Sequence, residues 1–144
     1  MPKPAPYRLK PANYPWSIAI TTRFGDLDVN NHLNNVAIAR LFEDARVRFQ
    51  FEERRSLSSP GVRGLIVSVG IEYLAEAYFP DPVTVCAGFG EPGRSSWPIL
   101  LAAFQNDRCF ATCDSVLVLR DGNGPAPIED EWRKYLEERQ VRSG

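Results

Sequence analysis

The sequence predicts an α+β fold, and three patterns carry that prediction. A helical stripe of apolar residues runs from Leu33 to about Glu53, far longer than an average helix. Four strand-like segments joined by short turns follow it, from Leu65 to Leu119. A short amphipathic pattern, Ile128 to Gln140, closes the chain. With one more strand ahead of the long helix, the result is a five-stranded antiparallel sheet that must cover the apolar face of that helix.

Residues 1–15 hold Pro2, Pro4, Pro6, Pro11 and Pro15, which suits an extended N-terminal arm. Trp16 to Phe24 is rich in β-formers, Ile18, Ile20, Thr21 and Thr22 among them, and reads as the first strand. In the long helix Ile38, Phe42, Ala45 and Phe49 share one stripe with Leu41 beside them, while Arg40, Glu43, Arg46 and Arg48 lie largely off it. Asp44 and Arg48 are spaced to pair along its surface, and Asn30 or Asn31 suits its N-cap. Ser56 to Gly64 reads as a loop.

Leu65 to Leu74 alternates, placing Leu65, Val67, Val69, Ile71 and Tyr73 on one face. The turns Phe79-Pro80-Asp81-Pro82 and Glu91-Pro92-Gly93-Arg94 bracket a strand from Val83 to Phe89. Ser95 to Gln105 is the next strand, in which Pro98 marks an edge or a bulge. Asn106-Asp107 turns tightly into a long strand, Cys109 to Leu119, which Asp121 to Gly124 ends. Trp132, Tyr135 and Leu136 give the final helix its apolar side. No repeat or linker divides residues 1–144, so one domain is expected.

Composition narrows the function. Hydrophobic residues at 44% and charged residues at 24% are ordinary for a globular protein. A formal net charge of −1 gives no basis for bulk nucleic-acid or membrane-surface binding. Three cysteines without a C-x-x-C pair, together with one histidine, supply a zinc site poorly. Cys86, Cys109 and Cys113 read as free thiols in a reducing compartment, with Cys109 and Cys113 packing on one face of a strand. No signal segment opens the chain and no apolar run approaches about 18 residues, so a soluble, cytoplasmic protein is expected.

The chemistry concentrates in Arg23 to Asn35, R-F-G-D-L-D-V-N-N-H-L-N-N, which holds two aspartates, four asparagines and the only histidine. A polar loop between a strand and a helix start sits where unbonded helix amides point outward. On its residues alone, Asp28 fits either a turn or capping role, or a carboxylate that activates water or attacks an acyl carbon beside those amides. Asp26 reads as a loop-bonding group. His32 reads as a residue that orients the loop, and Asn34 and Asn35 as capping or water-placing groups that cannot act as bases.

This loop is similar to the D-x-D-x-x-G-H-x-N-N stretch of the 4-hydroxybenzoyl-CoA thioesterase-like branch of acyl-CoA thioesterases. Here it reads Asp26, Asp28, Asn31, His32, Asn34 and Asn35. The element order resembles the hotdog fold, a sheet wrapped round a central helix, over Trp16 to Leu136. The Phe79-Pro-Asp-Pro turn, Ser95-Ser96 and the Pro127-Ile128 lead into the tail helix belong to the same likeness. Asn31 replaces the usual glycine, and asparagine tolerates positive φ better than other side chains. Ile38 replaces a tyrosine that many members carry there.

The resemblance implies hydrolysis of an acyl-CoA thioester to a free acid and coenzyme A, with no metal or redox cofactor. Asp28 would be nucleophile or general base, supported by Asp26, His32, Asn34 and Asn35. The oxyanion would be held by a backbone amide from the start of the central helix or from the facing subunit. Ile38, Leu41, Phe42, Tyr73 and Trp97 are expected to wall the acyl groove. Among Arg94, Arg63, Arg54 and Arg55, Arg94 is the foremost candidate for coenzyme A phosphates. Exposed sheet edges imply at least a homodimer, with a homotetramer also common in the family and the site at the subunit interface. Two alternatives remain. One is a non-catalytic acyl-CoA-binding module. The other is a hotdog enoyl-CoA hydratase, whose D-x-N-P-x-H motif needs one residue more than separates Asp28 and His32.

Overall fold

The computed structural model describes residues 3–53 and 63–143. Five principal strands are β1 (Trp16–Ile20), β2 (Arg63–Tyr73), β3 (Val83–Phe89), β4 (Ser96–Gln105) and β5 (Arg108–Asp121), and a two-residue β6 (Gly124–Pro125) folds back on β5. All pairings are antiparallel, in the order β1-β3-β4-β5-β2. The sheet curls round α1 (Asn35–Glu53), and α2 (Asp130–Glu138) closes the chain, giving the hotdog arrangement expected. The loop expected at Ser56 to Gly64 lies outside the described residues up to 62, and its last residue, Gly64, belongs to β2.

The apolar stripe of α1 does what its period predicts. Ile38, Leu41, Phe42, Ala45 and Phe49 are all buried against Val83, Val85, Ile99, Leu101 and Phe110 of the sheet. Asp44 accepts from the Arg48 guanidinium at 3.0 Å on the outer side. Arg46 departs from the pattern and is buried on the flank of the stripe. At the far end, Trp132 of α2 stacks edge-on against Trp97, 4.5 Å between ring centres. Asn106 and Asp107 both have positive φ (53° and 62°), the requirement of a two-residue hairpin whose twist matches its strands.

Two bulges alter what simple alternation predicts. In β5, Phe104 of β4 faces Cys109 while Ala103 faces Ala111, so Phe110 is an extra residue. Phe110 and Ala111 both join the inner core, and Cys109 is pushed to the outer face while Cys113 stays inside. The two thiols therefore lie on opposite faces, contrary to the expectation from their spacing. In β2 the register slips between Ile66 and Ser68, leaving Val67 as the extra residue, so Leu65 falls on the opposite face from Val69, Ile71 and Tyr73, with which it was expected to share one. β1 stops at Ile20, short of the expected Phe24, because Phe24–Asp26 forms a 3-10 turn.

The N-terminal segment is not a free extended arm. Pro6–Leu9 and Pro11–Asn13 form single 3-10 turns packed on the outer face of the sheet. Arg8, only 5% exposed, donates to the Leu101 carbonyl at 3.0 Å and to the Tyr14 hydroxyl at 2.9 Å, and pairs with Asp114 at 2.8 Å. Prolines fix φ without supplying a strand donor, so short turns anchored by one buried arginine are what they allow. Tyr14, Cys86, Ala102, Phe104 and Val141 form a second small core there. Burial pushes the Tyr14 hydroxyl up to about 12 against the pull of Arg8, and the Cys86 thiol up to about 12. In the inner core, burial takes the Cys113 thiol up to about 11.

Candidate active site

Between β1 and α1 the chain makes a tight polar loop built on Asp26. This carboxylate is 2% exposed and turns back to accept the Arg23 amide at 2.9 Å. The Arg23 guanidinium reaches its other oxygen at 3.1 and 3.3 Å, and Arg40 from α1 pairs with the same oxygen. The Asp26 carbonyl accepts the Asn34 amide at 2.8 Å, so this one residue ties the loop entrance to the helix start. Leu27 and Leu33 then pair as an isolated antiparallel bridge, which closes residues 28–32 into a small loop.

Inside that loop Asp28 is exposed. Its Oδ1 accepts from the Asn30 amide at 2.8 Å and the His32 amide at 3.2 Å. Its own amide donates to the His32 carbonyl at 2.9 Å, and Asn31 turns the chain with φ of 62°. Asparagine therefore adopts the left-handed conformation for which glycine is usual. Oδ2 accepts no hydrogen bond among the described residues. Asn34 is the helix N-cap, its Oδ1 accepting the Ala37 amide at 2.7 Å, in place of the expected Asn30 or Asn31. The first helical amides, Asn35 and Val36, have no acceptor within the helix.

Asp26, Asp28, Asn34 and Asn35 line one open pocket of ≈ 510 Å³ together with Val36 and Arg40. A second pocket of ≈ 440 Å³ lies on the other side of the Asp26–Arg40 pair. His32 turns away toward the β2–β3 connection, where its Nε2 meets Glu76 at 3.1 Å. The first pocket thus combines a carboxylate oxygen, two helix-start amides and a guanidinium, a set that can polarise a carbonyl and deliver or activate a nucleophile.

Other expected site residues lie elsewhere. Ile38 and Phe42, 4% and 1% exposed, are sealed in the core with Trp97 and line neither pocket, whereas Leu41, though largely buried, lines the 440 Å³ pocket beside Arg40. The cause is geometric: one helix stripe cannot both fill the sheet's concave face and line a cavity. Tyr73 does adjoin the site, its hydroxyl 3.5 Å from the Asn35 carbonyl. Arg94 sits at the β3–β4 turn, the opposite end of the sheet, roughly 20 Å away along the seven residues of β3. Arg63 begins β2 opposite Arg120 at that same far end, and Arg54 and Arg55 lie outside the described residues. Arg23, Arg40, Glu76 and Tyr78 were not legible as site residues. Arg40 stands 14 residues from Asp26, and only the closed loop brings them together.

Comparison with known proteins fits this geometry. A sequence-family profile described as the thioesterase-like superfamily matches residues 22–136. No match is found among curated proteins. Among solved structures, the chain is 28% identical to a predicted thioesterase from Bacillus stearothermophilus, covering 90% of this chain and 98% of that one with a TM-score of 0.77. A thioesterase from Thermus thermophilus, complexed with coenzyme A and zinc, is 27% identical over 91% of this chain and 98% of its own, TM-score 0.75. The PA5185 protein of Pseudomonas aeruginosa is 28% identical over 94% and 98%, TM-score 0.74. Among the described residues, no three His, Cys, Asp or Glu side chains come together in a way that could hold a metal ion, and no helix is long and apolar enough to cross a membrane.

Proposed function

Because the chain belongs to the thioesterase-like superfamily, we propose that it hydrolyses an acyl-CoA thioester to a free acid and coenzyme A. The observation that carries the reading is Asp28 at the rim of the 510 Å³ pocket, one oxygen held by loop amides and the other with no hydrogen-bond partner among the described residues. That oxygen attacks the acyl carbon or takes a proton from the water that does. The Asn35 and Val36 amides, at the positive end of α1, receive the developing oxyanion. Collapse expels the thiolate, which leaves as the thiol once protonated, and water supplies the hydroxyl of the acid. The coenzyme A found with the Thermus relative supports the choice of acyl carrier.

The same proposal includes a soluble cytoplasmic homo-oligomer, a dimer or a tetramer. Its support is β2, an edge strand with Leu65, Ile66, Val67 and Val69 all exposed. In such an assembly Arg94 would serve the site of a facing subunit. Sedimentation showing only monomer at micromolar concentration would remove this part.

Thiol release from a panel of short, long and aromatic acyl-CoAs tests the activity, with wild type beside Asp28→Asn. Asparagine keeps an oxygen for the Asn30 and His32 amides, so the loop survives and only the charge is lost. A fall of about a hundredfold or more in kcat is expected. Equal rates would make Asp28 a loop residue alone. Coenzyme A binding without turnover by wild type would turn the reading to a binding module.

A further inference from the structure

Asp28 is held by the Asn30 and His32 amides and donates its own amide to the His32 carbonyl, and the side chain of His32 is itself held from another part of the fold. Its imidazole Nε2 lies 3.1 Å from Glu76 Oε2. The Tyr78 hydroxyl donates to that same oxygen at 3.2 Å, and the Tyr78 ring stands edge-on to the imidazole with 5.4 Å between centres. The connection carrying both residues is fixed in turn. Arg108 donates to the Glu76 carbonyl at 2.7 Å, Gln105 clasps Tyr78 through its amide and carbonyl at 2.9 and 2.7 Å, and the Leu33 amide donates to the Ala77 carbonyl at 2.9 Å.

We propose that Glu76 is a positioning residue for the hydrolytic carboxylate, acting through His32. The inference rests on Asp28 being the reacting group. An ionised carboxylate only accepts hydrogen bonds, so Nε2 must carry the proton, and in the neutral ring Nδ1 is then the bare nitrogen. With the ring pinned between Glu76 and Tyr78, the His32 main chain is fixed, and both its amide and its carbonyl bind Asp28. The β2–β3 connection thereby sets the direction of a carboxylate 48 residues earlier in the chain. Removing Glu76 leaves the pocket and the substrate contacts in place and loosens only the aim of Asp28, which is a loss in kcat and not in KM.

His32 is the only histidine in the chain, so one imidazole signal reports on the arrangement without ambiguity. The test is nitrogen-15 NMR of that ring, recorded where its own spectrum shows a single ring proton, together with steady-state kinetics, on wild type, Glu76→Ala and Glu76→Gln. Wild type is expected to show the Nε2–H tautomer. Glu76→Ala is expected to mix the tautomers and to lower kcat about fivefold at constant KM, the scale of one exposed charged hydrogen bond. Glu76→Gln, whose side-chain carbonyl still accepts from Nε2, restores both. An Nδ1–H tautomer in wild type, or an Ala variant that changes neither tautomer nor kcat, overturns the proposal. Should no acyl-CoA be turned over at all, the proposed function fails while the tautomer measurement still decides whether Glu76 sets the His32 ring.

Discussion

Replacing Asp26 by asparagine should cost stability, whereas the same change at Asp28 should cost activity. Asp26 is 2% exposed and holds the Arg23 amide, the Arg23 guanidinium and Arg40 together. Stripping one partner from a fully buried ion pair costs about 3–5 kcal/mol. Here the Arg23 and Arg40 side chains are 60% and 46% exposed, so water can solvate their charges once the carboxylate is gone. Asparagine also retains an oxygen for the Arg23 amide, though its NH₂ group then faces a cation. The loss should therefore be about 2 kcal/mol. For a chain of 144 residues that is a fall in Tm of about 6 °C. Calorimetry and urea titration of Asp26→Asn beside Asp28→Asn would measure it, the second variant staying within about 0.5 kcal/mol of wild type because Asp28 is exposed. An Asp26→Asn variant that melts within about 2 °C of wild type would refute the reasoning, since the turn would then hold without that charge.

Two more outcomes follow from the same geometry. Asn31, at φ 62°, should accept glycine with little change, while Asn31→Val should lose about 1–2 kcal/mol in a chemical melt because a β-branched side chain resists that conformation. The fold should also weaken at alkaline pH. The thiols of Cys86 and Cys113 rise from 9.0 to about 12 and about 11, and the Tyr14 hydroxyl from 10.0 to about 12. The folded state holds these groups neutral while the unfolded chain ionises first, so their contribution is complete below pH 9 and drains as pH climbs toward 12. Urea midpoints that stay flat from pH 8 to 10.5 would contradict this, and Cys86→Ala should shallow the slope.

The parts of the fold legible in the sequence are those in which one period runs unbroken. β3 has the bounds that its two flanking turns predicted, Val83–Phe89, and the α1 stripe is buried residue by residue. The reading failed where an extra residue enters a ladder. Nothing in the local sequence distinguishes Phe110 from its neighbours as a bulge, yet it reverses the side on which Cys109 packs. It failed too where a charged side chain is buried through a distant partner, as Arg8 is by Asp114, because proline content alone says nothing of what the segment will meet. At the site, the loop motif located Asp26, Asp28, Asn34 and Asn35 at one pocket, since they are close in sequence. Glu76 and Arg40 come to it only through tertiary contact, and no spacing rule reaches that far.

The burial of Ile38 and Phe42 changes what the proposed site requires. In one chain the pocket's polar side is present, with a carboxylate, helix amides and a guanidinium, while Ile38, Phe42 and Trp97, expected to wall the acyl group, are consumed by the core. Val36 at the rim is 79% exposed, and Tyr73, its hydroxyl against Asn35, marks where β2 arrives. From there Val69, Val67, Ile66 and Leu65 run exposed along the edge strand. A strand edge with open hydrogen-bonding groups and an apolar flank is a template for pairing with another chain, and a second copy would satisfy both. Such pairing would set a new apolar wall beside the Asp28 pocket. It would also shorten the way for the far-end Arg94 to reach a neighbouring site, which the roughly 20 Å length of β3 forbids within one chain. On the proposed reading, then, the chemistry is written into one loop and the specificity into an edge, and changes along β2 should alter which acyl chain is accepted before they alter whether Asp28 can act.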